Sequence, residues 1–169
     1  ATVTGVQTCA LPIFNRHDIY PLTGRAVTHE LVEQDIRLFK EANINFIRTS
    51  HYPPRPDFVA LCDRYGIYVE NETSVAFIGQ SILYTQNDPS LTPAFIGPLA
   101  DIMERDLSSP SVIIWSLANE CYWGDNFRLM HRYARAVDPT RLTIFSYPIT
   151  QQEDDDLTDI WSMHYAAWE

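Results

Sequence analysis

An amide and a carboxylic acid stand close together at the end of an apolar-rich run of this chain. Residues 111–117 have the composition of a strand buried on both faces, as in parallel sheets, and Asn119 and Glu120 come just after them. Parallel α/β proteins place their chemistry at the carboxyl ends of such strands. A carboxyl group held partly out of water there has a raised pKa and can donate a proton near neutral pH. The alternative is that Glu120 caps or salt-bridges the helix that follows.

The composition is that of a single domain with a real core, because the chain has 169 residues and 46% of them are hydrophobic. The aromatic share of 12% is high, and flat aromatic faces are typical of sugar sites as well as of cores. A net charge of −10 argues against a nucleic acid or an anionic membrane as a partner. No apolar stretch of the sequence is long enough to span a bilayer.

The three cysteines, Cys9, Cys62 and Cys121, are odd in number and widely spaced, so they indicate neither a disulfide framework nor a zinc site. Residues 1–13 differ from the rest because they carry no charge and show no clear periodicity. They also lack the basic start and the apolar length of a signal peptide. We therefore expect this segment to be non-native or disordered, and the fold to occupy residues 14–169.

Predicted strands alternate with predicted helices along the rest of the sequence. The strands are predicted at 14–17, 44–50, 67–72, 111–117, 142–147 and 159–165. The helices are predicted at 28–42, 56–65, 93–107 and 125–137, and a long loop precedes the third of them. Strands separated by helices imply parallel βαβ units with right-handed crossovers. Six such strands fit either an open doubly wound sheet or part of a (β/α)8 barrel, which needs about 250 residues.

Polar residues at the ends of the strands decide between these two architectures. They lie at the carboxyl ends of five of the six strands: Arg16 and His17, Arg48 and His51, Asn71 and Glu72, Asn119 and Glu120, and His164 and Tyr165. Their recurrence predicts that they converge on one face, and it favours an incomplete TIM barrel of about six βα units. No glycine-rich phosphate turn follows the first strand, which argues against a nucleotide-binding sheet.

With these segments in view, the sequence resembles the catalytic TIM barrel of glycoside hydrolase family 2, the β-galactosidase and β-glucuronidase family. Five segments carry the resemblance in the family's order: Asn-Arg-His-Asp at 15–18 with Pro21, Ile-Arg-Thr-Ser-His-Tyr-Pro at 47–53, Cys-Asp-Arg-Tyr-Gly-Ile at 62–67, the run 110–120 that ends in Asn-Glu, and Val-Asp-Pro-Thr-Arg at 137–141. The resemblance implies a retaining double displacement. One carboxylic acid protonates the leaving oxygen, and a second, ~5–5.5 Å away, attacks the anomeric carbon.

The resemblance also implies roles for the polar residues at the strand ends. Glu120 would be the general acid/base, and Asn119 would hydrogen-bond the 2-hydroxyl of the sugar. Arg48 would steady the carboxylate of the nucleophile. These roles agree with ordinary chemistry, since an arginine beside a carboxylate keeps that carboxylate ionised.

Two histidines and a tyrosine complete the implied sugar site. His17 and His51 would line the pocket of the −1 sugar, since a neutral imidazole can donate to or accept from a hydroxyl. Tyr165 would hydrogen-bond the nucleophile, and Glu72 is expected to pair with Arg48. The alternatives are a structural tie to a loop carbonyl for each histidine and core packing for Tyr165.

The sequence departs from the family pattern at its end. The family's nucleophile is a glutamate at the end of strand seven, and Glu169, which follows strand six, does not match that motif. We therefore expect the chain to be a fragment that is inactive alone, with its nucleophile beyond residue 169.

Two further departures lie around the site. Magnesium-dependent β-galactosidases of the family carry Glu and His ligands just after strand three, where this chain has Ala76 and Phe77. We therefore expect no magnesium there, and no other cofactor. In the segment 121–124, Tyr122 or Trp123 forms an aromatic wall for the leaving-group sugar or packs at the start of the next helix.

The function that the resemblance implies is that of a retaining exo-β-glycosidase acting on a carbohydrate substrate. β-Galactosidase is favoured over a β-glucuronidase type, and a homo-oligomeric parent enzyme is left open. One rival is a non-catalytic carbohydrate-binding barrel module. A second rival is a barrel hydrolase that uses Glu120 with a metal, but the sequence has no HxH or HxxE cluster at its strand ends. A third is a Cys121 nucleophile, but no spacing between Cys121 and a histidine supports such a pair.

Overall fold

The computed structural model describes residues 13–79, 85–147, 158–162 and 164. Within these residues, strands and helices alternate as predicted. The strands are β1 (Ile13–Arg16), β2 (Phe46–Thr49), β3 (Tyr68–Glu72), β4 (Val112–Asn119), β5 (Leu142–Ser146) and β6 (Ile160–Trp161). The helices are α1 (His29–Glu41), α2 (Pro56–Tyr65), α3 (Thr92–Asp106) and α4 (Asp125–Val137), with 3₁₀ turns at Thr85–Asn87 and Pro89–Leu91. None of the described helices has the length and apolar character needed to cross a membrane.

All six strands run parallel in one sheet, in the order in which they occur along the chain. The helices α1 to α4 connect the first five strands in turn. A strand order that never reverses is that of a barrel, whereas a doubly wound sheet reverses its order at a switch point. The predicted incomplete TIM barrel is therefore confirmed.

The first and last strands differ from their predicted bounds. β1 begins at Ile13, which pairs with Phe46 of β2, so the sheet includes the last residue of the segment 1–13. Residues 1–12 of that segment lie outside the described residues. β6 pairs with β5 through Ile160 and Trp161, so it is shorter than the strand predicted at 159–165.

The sheet carries apolar side chains on both faces. On the outer face, residues such as Ile47, Val69 and Trp115 pack with Phe58 and Leu99 of the helices in one large core. On the inner face a smaller cluster forms around Phe46, Ile114 and Ile144, one from each of β2, β4 and β5. Alternation along each strand produces both layers, because successive side chains point to opposite faces.

Asp138 ties the end of α4 to the sheet. It is buried, and its carboxylate accepts hydrogen bonds from Trp115 Nε1 at 2.9 Å, from Arg141 Nη1 at 2.7 Å and from the backbone N–H of Thr140 at 3.0 Å. Burial acts to raise the pKa of Asp138, but these hydrogen bonds outweigh it and hold the pKa well below its usual range. The Val-Asp-Pro-Thr-Arg segment is thus a structural clamp rather than part of the site.

Candidate active site

A cavity of about 340 Å³ opens at the carboxyl ends of the strands. Its volume lies in the range of roughly 300–1,000 Å³ that is typical of small-ligand sites. Six described residues from four parts of the sheet line it: Asn15, Arg48, His51, Asn119, Glu120 and His164. A cavity with this lining is polar, and it places a carboxylic acid beside an amide, a guanidinium and two imidazoles.

Asn119 and Glu120 both line the cavity although they are consecutive, and successive strand residues normally face opposite ways. Two local features allow this. The pairing of β4 with β5 shifts register between Ser116 and Asn119, and Glu120 adopts the left-handed conformation with φ 49°. The backbone N–H of Glu120 donates to Ser146 O at 2.8 Å and holds this turn in place. The left-handed region is unfavourable for a glutamate, and strained residues of this kind cluster at functional sites.

Arg48 organises the polar groups behind the cavity. It is buried, and its Nε donates to Glu72 Oε2 at 2.7 Å and lies 3.2 Å from Glu70 Oε1. Its Nη2 donates to Asn119 Oδ1 at 2.7 Å and lies 3.3 Å from His51 Nδ1. One guanidinium thereby joins residues of β2, β3 and β4, and the expected pairing of Glu72 with Arg48 is confirmed.

The bond from Arg48 sets the orientation of the Asn119 amide. Because the oxygen of that amide accepts from Arg48, the nitrogen Nδ2 is the group of Asn119 that remains to donate into the cavity. Asn119 is 1% exposed, so its position is fixed by the surrounding protein. The arrangement presents a pre-oriented N–H donor to a ligand hydroxyl next to Glu120.

Glu70 and Glu72 are two buried carboxyl groups that share Arg48. Glu72 also accepts from Ser116 Oγ at 2.7 Å, and its other oxygen lies 2.8 Å from His51 Nδ1. Burial raises the pKa of Glu70 to about 7, with Arg48 opposing that rise and Glu72 adding to it. One positive charge therefore faces two buried carboxyl groups.

Glu120 contacts an imidazole. Its Oε1 lies 3.0 Å from Nδ1 of His164, and the two side chains are 19% and 23% exposed. The helix α4 begins at Asp125 with Gly124 as its N-cap and no side-chain cap bond. The alternative in which Glu120 caps this helix is therefore wrong.

The two other histidines of the predicted site are neighbours. His51 lines the cavity, and His17 is exposed and presents its ring to the edge of His51 at a centroid distance of 5.5 Å. Partial burial is the largest cause that lowers the pKa of His17, and the nearby His51 and Arg48 lower it further. His17 is thus neutral near pH 7. It contacts His51 and is not among the described residues that line the cavity.

Comparison with known proteins shows the family of this chain. The profile described as Glycosyl hydrolases family 2, TIM barrel domain, matches residues 7–169. The chain belongs to glycosyl hydrolase family 2. The β-galactosidase BgaC of Bifidobacterium adolescentis is 37% identical over 161 residues, which are 90% of this chain and 15% of BgaC.

Solved structures of family 2 enzymes share the fold. The β-glucuronidase of Parabacteroides merdae superposes with a TM-score of 0.74 at 25% identity, over 89% of this chain and 20% of that one. A β-glucuronidase of Faecalibacterium prausnitzii superposes with a TM-score of 0.69 at 31% identity, over 79% of this chain and 24% of that one. The β-galacturonidase of Eisenbergiella tayi superposes with a TM-score of 0.70 at 26% identity, over 79% of this chain and 24% of that one. The family 2 chain thus spans between 15% and 24% of the length of these relatives.

In this family 2 chain, the structure brings together four of the six residues predicted for the site: Arg48, His51, Asn119 and Glu120 all line the cavity. His17 lies next to His51, and Tyr165 lies outside the described residues. The cavity also includes Asn15, which the sequence analysis gave no role, and His164, which it expected only to converge with the other strand-end residues. Asn15 lies within β1, so its position at a strand end gave no signal for it.

Two polar residues at strand ends turn away from the cavity, so the expectation that all of them converge on one face is wrong. Arg16 bonds Asp18 and donates to Asp35 of α1, and its guanidinium lies over the ring of Phe58. Asn71 donates to Asp106 of α3 at 2.6 Å. Both lie in the layer between sheet and helices, because side chains alternate along a strand.

The magnesium ligands of other family 2 β-galactosidases have no counterparts at the corresponding place. Ala76 and Phe77 have no side-chain oxygen or nitrogen, and Phe77 is 49% exposed with its ring edge-on to His51. Across the described part of the chain, no group of three or more His, Cys, Asp or Glu side chains is arranged to hold a metal ion. The residues present do not fit a magnesium site.

Cys121 and Trp123, which follow Glu120, belong to the core, whereas Tyr122 is half-buried and outside it. Trp123 stacks on Phe127 and meets Phe145 edge-on, so it packs at the start of α4 rather than beside the cavity. Cys121 is fully buried, and burial raises the pKa of its thiol to about 12. A thiol in this state is a poor nucleophile, which argues against the Cys121 alternative.

Proposed function

We propose that this chain is the acid/base half of the catalytic site of a retaining exo-β-glycosidase, with Glu120 as the general acid/base. The observation that carries the proposal is the shared cavity of Arg48, His51, Asn119 and Glu120 at the carboxyl ends of the strands. Family membership supports it, because the relatives are named as β-galactosidases, β-glucuronidases and a β-galacturonidase.

Each step of the reaction has a group of this chain to serve it. In the first step Glu120 gives its proton to the leaving oxygen as the bond from that oxygen to C1 breaks, and a carboxylate bonds to C1. In the second step the Glu120 carboxylate takes a proton from water as the water oxygen bonds to C1 and the carboxylate leaves. Asn119 donates from Nδ2 to the 2-hydroxyl, a contact that strengthens in the transition state.

The attacking carboxylate is a second requirement. Among the described residues, Glu120 is the one carboxylate in the lining of the cavity, and Glu72 is held by Arg48, His51 and Ser116. We therefore propose that the nucleophile comes from outside the described residues, and the family resemblance places it at the end of a seventh strand. The active unit is then the full-length protein that contains this chain.

The sugar is best supported as galactose. The relative with 37% identity is named a β-galactosidase, whereas the β-glucuronidase structures cited here are 25% and 31% identical. A uronic acid also needs a cation for its carboxylate. Arg48 is the one cationic side chain among the described lining residues besides the histidines, and it is already paired with Glu70 and Glu72. A β-glucuronidase activity is the second candidate, favoured by the structural neighbours.

The test is kinetic and uses the full-length protein with 4-nitrophenyl β-galactoside and 4-nitrophenyl β-glucuronide. We expect turnover of the galactoside, and a loss of about 10²–10⁴ in kcat in the Glu120→Gln variant. Azide should restore turnover of Glu120→Ala and yield the β-glycosyl azide, since a small anion needs no base to attack the intermediate. Glu104→Gln, at an exposed position of α3, is the matched control and should leave kcat unchanged.

The outcomes separate the candidates. Turnover of the glucuronide alone would favour the second candidate without affecting the role of Glu120. Sugar binding without hydrolysis by the full-length protein would support the carbohydrate-binding module instead. Full activity in Glu120→Gln would overturn the proposal.

A further inference from the structure

His164 contacts Glu120, and a stacked aromatic ring supports His164 in this position. Nδ1 of His164 lies 3.0 Å from Oε1 of Glu120, and both side chains are more than three-quarters buried. The His164 ring stacks on Tyr147, with a centroid distance of 5.3 Å and an interplanar angle of 8°. Tyr147 directly follows β5 and has the left-handed conformation with φ 59°, as Glu120 has directly after β4. The stacking fixes the plane of the imidazole and thereby the direction of its Nδ1.

We propose that His164 is a positioning residue for the acid/base carboxyl: it holds Oε1 of Glu120 so that the carboxyl group faces the cavity through both steps of the reaction. This inference rests on the function proposed for Glu120.

An imidazole suits this task because Glu120 has to change its protonation state during each turnover. Oε1 of Glu120 can accept the Nδ1–H of His164 when the carboxyl is ionised and also when it carries its proton on Oε2, because a protonated carboxyl keeps acceptor capacity. The same contact therefore survives in both states and leaves the acidic proton on the other oxygen for the leaving group.

The other charged groups near this pair do not replace His164. Arg48 and His51 line the same cavity, and both are engaged with Glu72, on the β3 side of the sheet. His164 reaches Glu120 from the β6 side, and Tyr147 supports it from β5. The carboxyl of Glu120 thus contacts the His164 ring and shares the cavity with Arg48 and His51.

Two variants of the full-length protein separate hydrogen bonding from packing. His164→Phe keeps a flat ring against Tyr147 and removes Nδ1. His164→Asn places an amide near the position of Nδ1 and restores a group that both donates and accepts. His164→Gln has the same amide one bond further from the backbone, so it is the matched control for the distance between the amide and Glu120.

The kinetic readout compares kcat/KM for two leaving groups, because kcat/KM reports the first step, in which a misplaced acid affects the leaving groups that need a proton. With lactose we expect kcat/KM of His164→Phe to fall at least about tenfold, and with 2,4-dinitrophenyl β-galactoside less than about threefold. His164→Asn should recover most of the loss and His164→Gln little of it. Equal losses for both substrates, or no loss, would overturn the inference. If Glu120→Gln itself shows no dependence on the leaving group, the proposed function has failed instead.

A second readout does not depend on activity. In the 169-residue chain, labelled with ¹³C at the δ-carbon of glutamate, the Glu120 signal is assigned by its loss in Glu120→Gln and followed against pH. We expect its titration midpoint to move by roughly half a pH unit or more in His164→Phe and by less in His164→Asn. An unchanged midpoint in His164→Phe would show that the two groups do not interact in solution and would overturn the inference.

Discussion

The guanidinium of Arg48 donates from Nη2 to Oδ1 of Asn119 at 2.7 Å, across 71 positions of the sequence. Through this bond the charge network of β2 and β3 reaches the residue beside the proposed acid/base. The bond is buried, so the amide has one orientation, with its N–H group toward the cavity. A donor fixed in this way costs no reorganisation when a sugar hydroxyl arrives.

The first prediction concerns this orientation. Arg48→Lys keeps the positive charge but loses the planar fork that bonds Glu72 and Asn119 together. We expect kcat/KM on 4-nitrophenyl β-galactoside to fall by about 10²-fold or more in the full-length protein. The loss should be smaller on the 2-deoxy galactoside, which has no hydroxyl for Asn119 to bind.

Arg37→Lys is the control for this change, because Arg37 is a 63% exposed arginine paired with Glu33 on the surface of α1. It should leave kcat/KM unaltered. A loss of the same size on the 2-deoxy substrate would show that Arg48 acts without Asn119.

The second prediction concerns the buried carboxyl of Glu70. Its pKa is raised by burial from 4.5 to about 7, so the folded chain binds a proton there more tightly than the unfolded chain. Stability should therefore decrease as pH rises from about 4.5 to above 7, by an amount of order 3 kcal/mol. Glu70→Gln cannot ionise, so we expect this variant to gain stability over the wild type at pH 8 and little at pH 5. Urea unfolding of the 169-residue chain at the two pH values measures the difference.

The exposed Glu104→Gln change is the matched control and should leave the midpoint of urea unfolding unchanged at both pH values. Glu72→Gln should lower stability at both pH values, because it weakens the bonds to Arg48, His51 and Ser116. A Glu70→Gln variant equally destabilised at pH 5 and pH 8 would contradict the raised pKa.

The third prediction concerns the clamp at Asp138. Its carboxylate holds Trp115, Thr140 and Arg141, and Asp138→Asn leaves the partly buried Arg141 without its counter-charge. We expect a loss of about 3–5 kcal/mol in the free energy of unfolding at pH 7. Because hydrogen bonding lowers the pKa of Asp138, its contribution is present above about pH 4 and is lost as pH falls further, so the loss on mutation should shrink in acid.

Asp125→Asn provides the comparison, since that side chain lies at the start of α4, is 77% exposed and meets Arg128 at only 3.9 Å. Its effect should stay within about 0.5 kcal/mol. A similar cost for the two variants would mean that the buried clamp contributes no more than a surface pair.

The fourth prediction concerns Phe77, whose half-exposed ring stands edge-on to His51 at 6.1 Å. An exposed aromatic face beside a polar cavity can pack against the second sugar of a substrate. We expect Phe77→Ala to raise KM for lactose about fivefold, corresponding to ~1 kcal/mol, and to change kcat little. Phe14→Ala, at a ring of similar exposure that packs on Phe39, should leave KM unchanged. An unaltered KM in Phe77→Ala would exclude such a contact.

Local signals were sufficient for the helices. The helices α2 and α4 have the bounds predicted from the sequence. Pro56 at the start of α2 and Gly66 in the left-handed conformation at its end are short-range determinants, as is the Asp-Pro pair after α4. Parallel strands separated by such helices end at one edge, so the strand-end rule also brought Arg48, His51, Asn119 and Glu120 to one place.

The same rule failed for Arg16 and Asn71 because residue type does not reveal the face of a strand. Side chains alternate with a period of two, and the phase of that alternation depends on pairing with neighbouring strands. Both residues found acidic partners on helices, Asp35 of α1 and Asp106 of α3. Those partners are 19 and 35 positions away in sequence, beyond the reach of any local pattern.

The sequence by itself therefore determined the barrel, its helices and the identity of the polar groups, since periodicity, turn residues and strand ends are local properties. Tertiary structure decided what those groups do to one another. The register shift in β4 and the left-handed turn at Glu120 bring two consecutive residues to the same cavity. The bonds from Arg48 to Asn119 and from His164 to Glu120 join residues 71 and 44 positions apart. Such contacts follow from the pairing of distant strands in one sheet, which no single segment encodes.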